Sequence, residues 1–229
     1  SIIVYILWPL TLITRLIILI KSFKTSHKTN IKSICVGNIY LGGTGKTQLV
    51  IKLNKILKKE YKIFTIKKYY KNQIDEQRLL SKKANLILPK NRISSLNKIK
   101  NSKKNLAIFD DGLQDKSISY NLSIVCFNSI TGVGNGKLLP AGPLRESLSK
   151  LSSYNAVFIN GEKNKYLEKK IKKYNKNIKI FSGKYFLKNK NDFDSKSKYL
   201  AFCGIGTPEN FFKLLKKNKI KIKKKNSFS

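Results

Sequence analysis

Acidic side chains are scarce in this chain: 12 Asp and Glu stand against 48 Lys and Arg, a formal net charge of +36 over 229 residues. Methionine is absent, and there are one Trp, one His and three Cys. Each shortage removes a class of function. Cys35, Cys126 and Cys203 lie far apart, each within an apolar run, and no C-x-x-C occurs. They read as three buried, reduced thiols of a cytosolic fold and not as a zinc site or disulfide framework. His27 sits in a polar linker and receives no role. The charge excess invites a nucleic-acid reading. Against it, lysine is spread along the whole chain, Asn and Ile are abundant, Arg is rare, and no RNA-binding aromatic motif appears. This is how solvated faces look when they are filled with Lys and Asn, so no nucleic-acid partner is expected. A basic surface still favours an anionic membrane.

Long apolar runs are also few. Ile2 to Ile20, reading IIVYILWPLTLITRLIILI, has the length to span a bilayer. It lacks a basic leader and a small-residue cleavage site, which argues against a signal peptide. Pro9, Arg15 and two threonines interrupt it, and an arginine at mid-depth is costly unless the helix lies in the interface. A membrane-surface helix is expected; a single span and a buried core helix are the alternatives. Lys21, Lys24, Lys28 and Lys32 follow, which keeps the next segment on the cytoplasmic side if the helix inserts.

What the chain does have is organised around Val36 to Thr47, VGNIYLGGTGKT. An apolar run, Ile34 to Val36, leads in as a short buried strand. After Thr47 come Leu49, Val50, Leu53, Ile56 and Leu57 at helical spacing, with lysines 52, 55, 58 and 59 mostly on the other face. Strand, glycine-rich turn, Lys-Thr and helix make the layout of a phosphate-binding P-loop. A helix N-terminus offers unpaired N–H groups and the positive dipole end to an anion. Glycines let the backbone wrap phosphates with no Cβ in the way. In that pattern the stretch Tyr40, Leu41, Gly42, Gly43, Thr44, Gly45, Lys46 and Thr47 wraps phosphates, Lys46 reaches the outer ones, and the Thr47 hydroxyl faces Mg2+. Tyr40 stands where the strict pattern has glycine.

The rest alternates. Strands are expected at Tyr61 to Ile66, Leu86 to Leu88, Leu106 to Phe109, Leu122 to Phe127, Asn155 to Asn160 and Ile178 to Phe181. Between them lie a short helix opened by Asp75 and Glu76, a helical stripe at Ile93, Leu96 and Ile99, and a basic helix from Tyr166 to Tyr174. A Gly- and Pro-rich loop from Gly132 ends with Arg145 and Glu146 entering a helix. The strand at 106–109 ends in Asp110-Asp111-Gly112, the Walker B pattern, whose first Asp holds magnesium directly or through water; the plain alternative is a strand-ending D-G turn. Such alternation predicts an α/β fold with a mostly parallel sheet covered by helices on both faces. Ligands of such sheets sit beyond the carboxyl ends of the strands, where Gly45, Asp75, Asp110 and the 132–146 loop could converge. The expected domains are residues 1–32, an apolar helix and basic linker; 33–182, the P-loop core; and 183–229, a connector and an incomplete second lobe. That lobe is a strand at Tyr199 to Cys203 and a helix with Thr207 as N-cap and Pro208 at its first position. The chain opens on Ser1, which suits a piece of a longer reading frame.

The strings VGNIYLGGTGKT, DDGLQ, GNGKLLPAGPLRE and GIGTPENFF occur here in the order found in the tetraacyldisaccharide 4′-kinases, the lipid A 4′-kinases of Gram-negative bacteria. From about Trp8 to about Phe212 the chain resembles that family, and LLPAGPLRE is the most specific part. The resemblance implies transfer of the γ-phosphate of ATP to the 4′-hydroxyl of a tetraacylated glucosamine disaccharide 1-phosphate. It implies a lipid A disaccharide precursor and the inner-membrane surface as partners, the cytoplasmic face of that membrane as the location, and no obligate protein partner. By resemblance Asp110 and Asp111 match the magnesium motif. Asp75-Glu76 matches an Asp-Glu segment whose Asp is the base toward the sugar hydroxyl. Gln114, Arg145 and Glu146 belong to strings that serve substrate or support.

The departures are specific. The family's Ser-Arg-Gly-Tyr string is replaced by Lys67, Lys68, Tyr69 and Tyr70, followed by a shortened loop. Ile74 and Gln77 replace the Gly and Pro around Asp75-Glu76, and Asp115 stands where the family has His. The family also has a supporting Asp-His pair further on, and Ser229 comes before it. Other readings are a membrane-anchored P-loop ATPase or switch, a diverged inactive homologue, and a basic binding protein with a vestigial P-loop.

Overall fold

The computed structural model describes residues 2–22, 27–194 and 196–228; Ser1 and Lys24 fall outside them. The helices are α1 (Ile2–Leu7), α2 (Leu10–Ser22), α3 (Lys46–Leu57), α4 (Ile74–Lys83), α5 (Arg92–Leu96), α6 (Lys165–Tyr174) and α7 (Pro208–Lys217). Besides a two-residue parallel pairing of His27–Lys28 with Ile118–Ser119, the strands are β1 (Lys32–Gly37), β2 (Lys62–Lys67), β3 (Leu86–Ile87), β4 (Asn105–Asp110), β5 (Leu122–Asn128), β6 (Ala156–Asn160), β7 (Lys179–Gly183), β8 (Lys198–Cys203) and β9 (Lys221–Ser227).

β1 to β7 form one parallel sheet in the order β3-β2-β4-β1-β5-β6-β7. On one side of β1 the chain goes outward to β2 and then β3, and returns to β4, which lies between β1 and β2. It then crosses to the other side for β5 to β7. That reversal at β1 is a topological switch point, the place where open α/β sheets leave a crevice for ligands. β4 is buried at every position, as a central parallel strand must be when helices cover both faces.

One face carries Val36, Ile108 and Cys126 of the strands against Val50 of α3 and Leu80 of α4. The other carries Cys35, Phe109, Val125, Phe127 and Val157 against Leu167 and Ile171 of α6. Neighbouring strand residues thus alternate between two cores, which is why the strands read as continuous apolar runs. Cys35 and Cys126 are buried in these cores, but Cys203 on β8 is only half-buried.

The structure departs from expectation in several places. The N-terminal run is two helices, not one: the chain turns at Trp8 and Pro9, since proline cannot sit in a helix interior without losing a hydrogen bond. No helix among the described residues is long and apolar enough to cross a membrane. Arg145 and Glu146 do not enter a helix; a 3-10 segment begins at Leu148, capped by the Ser147 side chain on the Ser149 N–H. After α7 the chain adds β9, which pairs in parallel with β8 as a separate two-stranded sheet. The lysine-rich sequence of β9 hid it.

Candidate active site

Each central strand carries a mainly apolar middle and delivers a polar group at or just past its carboxyl edge. In sheet order these are Lys67 of β2, Asp110 of β4, Asn38 after β1, Asn128 of β5 and Asn160 of β6. Register brings them level: Lys67 pairs with Asp110, Val36 with Asp110, and Asn128 with Asn160.

The loop from Asn38 to Gly45 lies over this edge. Gly45 has φ +84, a conformation that disfavours other L residues, and a Cβ there would fall on the Asn160 side chain. A Cβ on Gly43 would meet the backbone of Gly206, in the turn before α7. The Thr207 hydroxyl does not cap α7. It donates to the Gly43 carbonyl at 3.1 Å and accepts from Asn128 Nδ2 at 3.2 Å. The glycine-rich loop is therefore held between the end of β5 and the start of the second lobe. Leu41 N donates to the Pro143 carbonyl at 2.8 Å, and Tyr40 bridges Leu144, so the 132–146 loop closes the other side. Thr44 Oγ1 is buried with no hydrogen-bond partner among the described residues.

Lys46 and Thr47 open α3 beneath this loop. Thr47 Oγ1 donates to Asp110 Oδ2 at 3.4 Å, and Lys46 Nζ lies 3.9 Å from Asp111 Oδ1. The two aspartates have different surroundings. Asp110 is wholly buried, with Lys67 Nζ 3.0 Å from Oδ2, while its Oδ1 is buried and unpartnered among the described residues. Lys67 also meets Glu76 Oε2 at 2.9 Å. Burial pushes the Lys67 ammonium pKa down, but Asp110 and Glu76 outweigh burial and hold it above the ordinary lysine value.

Asp111 turns away at φ 58, in the left-handed region that Asp tolerates better than most residues. Arg145 grips it with two nitrogens, Nη2 to Oδ1 at 2.8 Å and Nη1 to Oδ2 at 3.4 Å. Burial pushes the Asp111 carboxyl pKa up, yet the Arg145 fork and Lys46 win and hold it below the ordinary carboxylate value. Arg145 Nη2 also donates to the Asn38 carbonyl at 2.8 Å and to Asn38 Oδ1.

Glu146 points the other way, into the protein. Its Oε2 accepts from Tyr154 OH at 2.7 Å and Gln114 Nε2 at 3.0 Å, with Lys116 Nζ 3.5 Å from Oε1. Gln114 Nε2 also reaches the Asn38 carbonyl at 3.0 Å. Gln114 and Arg145 thus converge on Asn38, the residue that follows β1, and Glu146 holds Gln114 there.

Lys46, Thr47, Asp110, Asp111, Arg145, Gln114 and Glu146 are all brought into this one network. Asp75 is not. It lies in the first turn of α4, exposed, with no ion-pair or hydrogen-bond partner among the described residues. Its neighbour Glu76 is the one that joins the network, through Lys67.

Sequence reasoning passed over Lys67, Asn38, Asn128 and Arg92. Arg92 is buried, donates from Nη2 to the Asp111 carbonyl at 2.7 Å, and pairs with Asp115 at 3.3 Å. The available signal was position: Lys67 and Asn128 are polar residues closing apolar strands, as Asp110 is.

The family model described as tetraacyldisaccharide-1-P 4′-kinase matches residues 3–229. The chain belongs to that family. It is similar to the tetraacyldisaccharide 4′-kinase of Pelagibacter ubique, 49% identical over 221 residues, covering 95% of this chain and 70% of that one. It is also similar to the Rickettsia canadensis tetraacyldisaccharide 4′-kinase, 35% identical over 236 residues, 94% of this chain and 71% of that one. Among solved structures, LpxK from Aquifex aeolicus in complex with ATP superposes with a TM-score of 0.72 at 24% identity, over 99% of this chain and 82% of that one. Family membership makes the P-loop core a phosphotransferase of lipid A biosynthesis. The α/β, P-loop-like fold with a seven-stranded parallel sheet is shared with that solved kinase.

Proposed function

We propose that this chain transfers the γ-phosphate of ATP to the 4′-hydroxyl of tetraacyldisaccharide 1-phosphate, at the cytoplasmic face of the bacterial inner membrane. The observation that carries the chemistry is the approach of Thr47 to Asp110 and of Lys46 to Asp111 beneath a glycine loop. In this reading the loop N–H groups and the α3 N-terminus hold the phosphates. Lys46 and Arg145 neutralise charge that builds on the transferring group. Asp75, at the rim on the side of β2, takes or positions the proton of the sugar hydroxyl.

A magnesium ion fits the residues present. Asp110 Oδ1 is a buried carboxylate oxygen without a partner among the described residues, and the Thr47 hydroxyl stands beside the same carboxylate. Magnesium takes one or two protein carboxylates and completes its shell with phosphates and water, so Asp110, Asp111 and Thr47 suffice as its protein side. When bound, it would supply charge neutralisation to the phosphates.

The membrane reading is supported by α1 and α2. Tyr5, Ile6, Trp8, Leu12, Ile13, Leu16 and Ile20 are all exposed. Ile18, by contrast, packs on the core. A hollow of about 500 Å³ lies between these helices and the 136–150 segment, lined by Trp8, Ile18 and Leu138 together with Arg15, Lys137 and Lys150. Apolar walls with three cations suit an acylated, phosphate-bearing ligand.

The test is ATP-dependent phosphorylation of the disaccharide lipid in detergent, with Lys46→Ala as the control. That variant should lose about 10²-fold or more in turnover. Lipid-independent ATP turnover at the same rate would favour the ATPase reading, and wild-type activity in Lys46→Ala would sink the P-loop assignment.

A further inference from the structure

Lys67 ends β2 with its side chain 2% exposed. Its ammonium lies between two carboxylates, 3.0 Å from Asp110 Oδ2 and 2.9 Å from Glu76 Oε2. A divalent ion entering beside Thr47 has to share Asp110 with this ammonium. Two cations on one buried carboxylate repel strongly, because little solvent screens them. Glu76 is the counterweight: its side chain is half exposed, and it draws the ammonium from the far side.

We infer that Lys67 is a positioning residue that sets the affinity of this site for magnesium, with Glu76 sharing its charge. The inference rests on the magnesium reading proposed above. Before the metal arrives, Lys67 pairs with Asp110, so the buried carboxylate is not left without a partner. A bound metal would compete with Lys67 for Asp110, so Lys67 would lean more on Glu76 and binding would be felt at the first turn of α4, next to Asp75.

The experiment titrates MgCl2 into the full chain saturated with a non-hydrolysable ATP analogue and follows heat at constant pH. Lys67→Met should bind Mg2+ about tenfold more tightly than the unaltered chain, since a competing cation is gone. Lys67→Arg should stay within about twofold, since the charge remains. A purely structural lysine predicts lower thermal stability in Lys67→Met with unchanged Mg2+ affinity, and that result overturns the inference. A second measurement needs no destabilising variant. The Lys67 ε-carbon resonance of the unaltered chain, assigned by its loss in Lys67→Arg, should shift during the Mg2+ titration with the midpoint seen by heat. A resonance that stays still while magnesium binds also overturns it. Both readouts are metal binding, so failure to phosphorylate the disaccharide lipid would count against the proposed reaction and leave this test intact.

Discussion

Arg145 and Asp111, 34 residues apart in the chain, form a two-point fork at 2.8 Å and 3.4 Å across the mouth of the P-loop. The fork ties the specific LLPAGPLRE string to the carboxylate that ends β4's Asp-Asp pair. It also anchors Asn38, so one guanidinium joins the ends of β1 and β4 to the 132–146 loop.

We predict that Arg145→Met lowers both turnover and stability, the latter by about 1.5–3 kcal/mol, the range for hydrogen bonds to charged groups. The pH sign follows from the Asp111 pKa, which lies below its ordinary 3.8 in the folded chain. Its stabilisation is therefore present above pH 3.8 and is lost as pH falls through the lower folded value. Thermal melts at pH 7 and near pH 3 should show the gap between the two proteins narrowing in acid. A gap of constant size would remove the ion pair from the explanation.

Asp75→Asn tests the least connected of the proposed residues. A base role predicts a turnover loss of about 10²-fold or more, with binding of the ATP analogue little changed. The competing account is that Asp75 merely suits the positive end of α4, worth about 0.3–1 kcal/mol. Unchanged turnover with a slightly lower melting temperature would choose that account.

Gly206→Val addresses the contact between the two lobes. The Gly206 Cα lies within 3.0 Å of where a Gly43 Cβ would stand, so added bulk must push the glycine loop or the second lobe aside. Nucleotide affinity should fall about tenfold or more, because a small misplacement of phosphate-binding groups is costly. Equilibrium binding of a fluorescent ATP analogue measures it, and unaltered affinity would mean that the loop is positioned without the second lobe. Thr207→Val, which removes the hydroxyl bonded to Gly43, should act in the same direction and more weakly.

Leu12, Ile13 and Leu16 are exposed on α2. Replacing all three with Ser should release the chain from anionic vesicles in a sedimentation assay and raise KM for lipid presented in vesicles. Activity on detergent-dispersed lipid should change much less. Sedimentation equal to that of the unaltered chain would place the anchor on the basic surface instead.

Much of this was legible along the chain. Periodicity located all seven strands of the main sheet within about two residues, β3 included, although only Leu86 and Ile87 pair there. Glycine spacing before Lys46 marked the phosphate loop, because only a backbone free of Cβ atoms can make that wrap. Asp110 and Asp111 were visible because an apolar strand ended in charge. The same rule applied to Lys67 would have found it, but one more lysine among so many carries little contrast.

The sequence by itself determined the fold class and the nucleotide loop, since both depend on local patterns: alternating apolar runs, helix-start residues and a glycine string. Only the tertiary structure decided which charges meet. Asp110 and Asp111 are adjacent in sequence, yet one side chain points into the sheet edge toward Lys67 and the other out toward Arg145. That division comes from the left-handed backbone at Asp111 and from parallel register between strands far apart in the chain. Asp75 and Glu76 are likewise neighbours, and only Glu76 reaches a buried cation. Successive residues on a helix point about 100° apart, so the packing of α4 settles which carboxylate faces in and which stays in solvent.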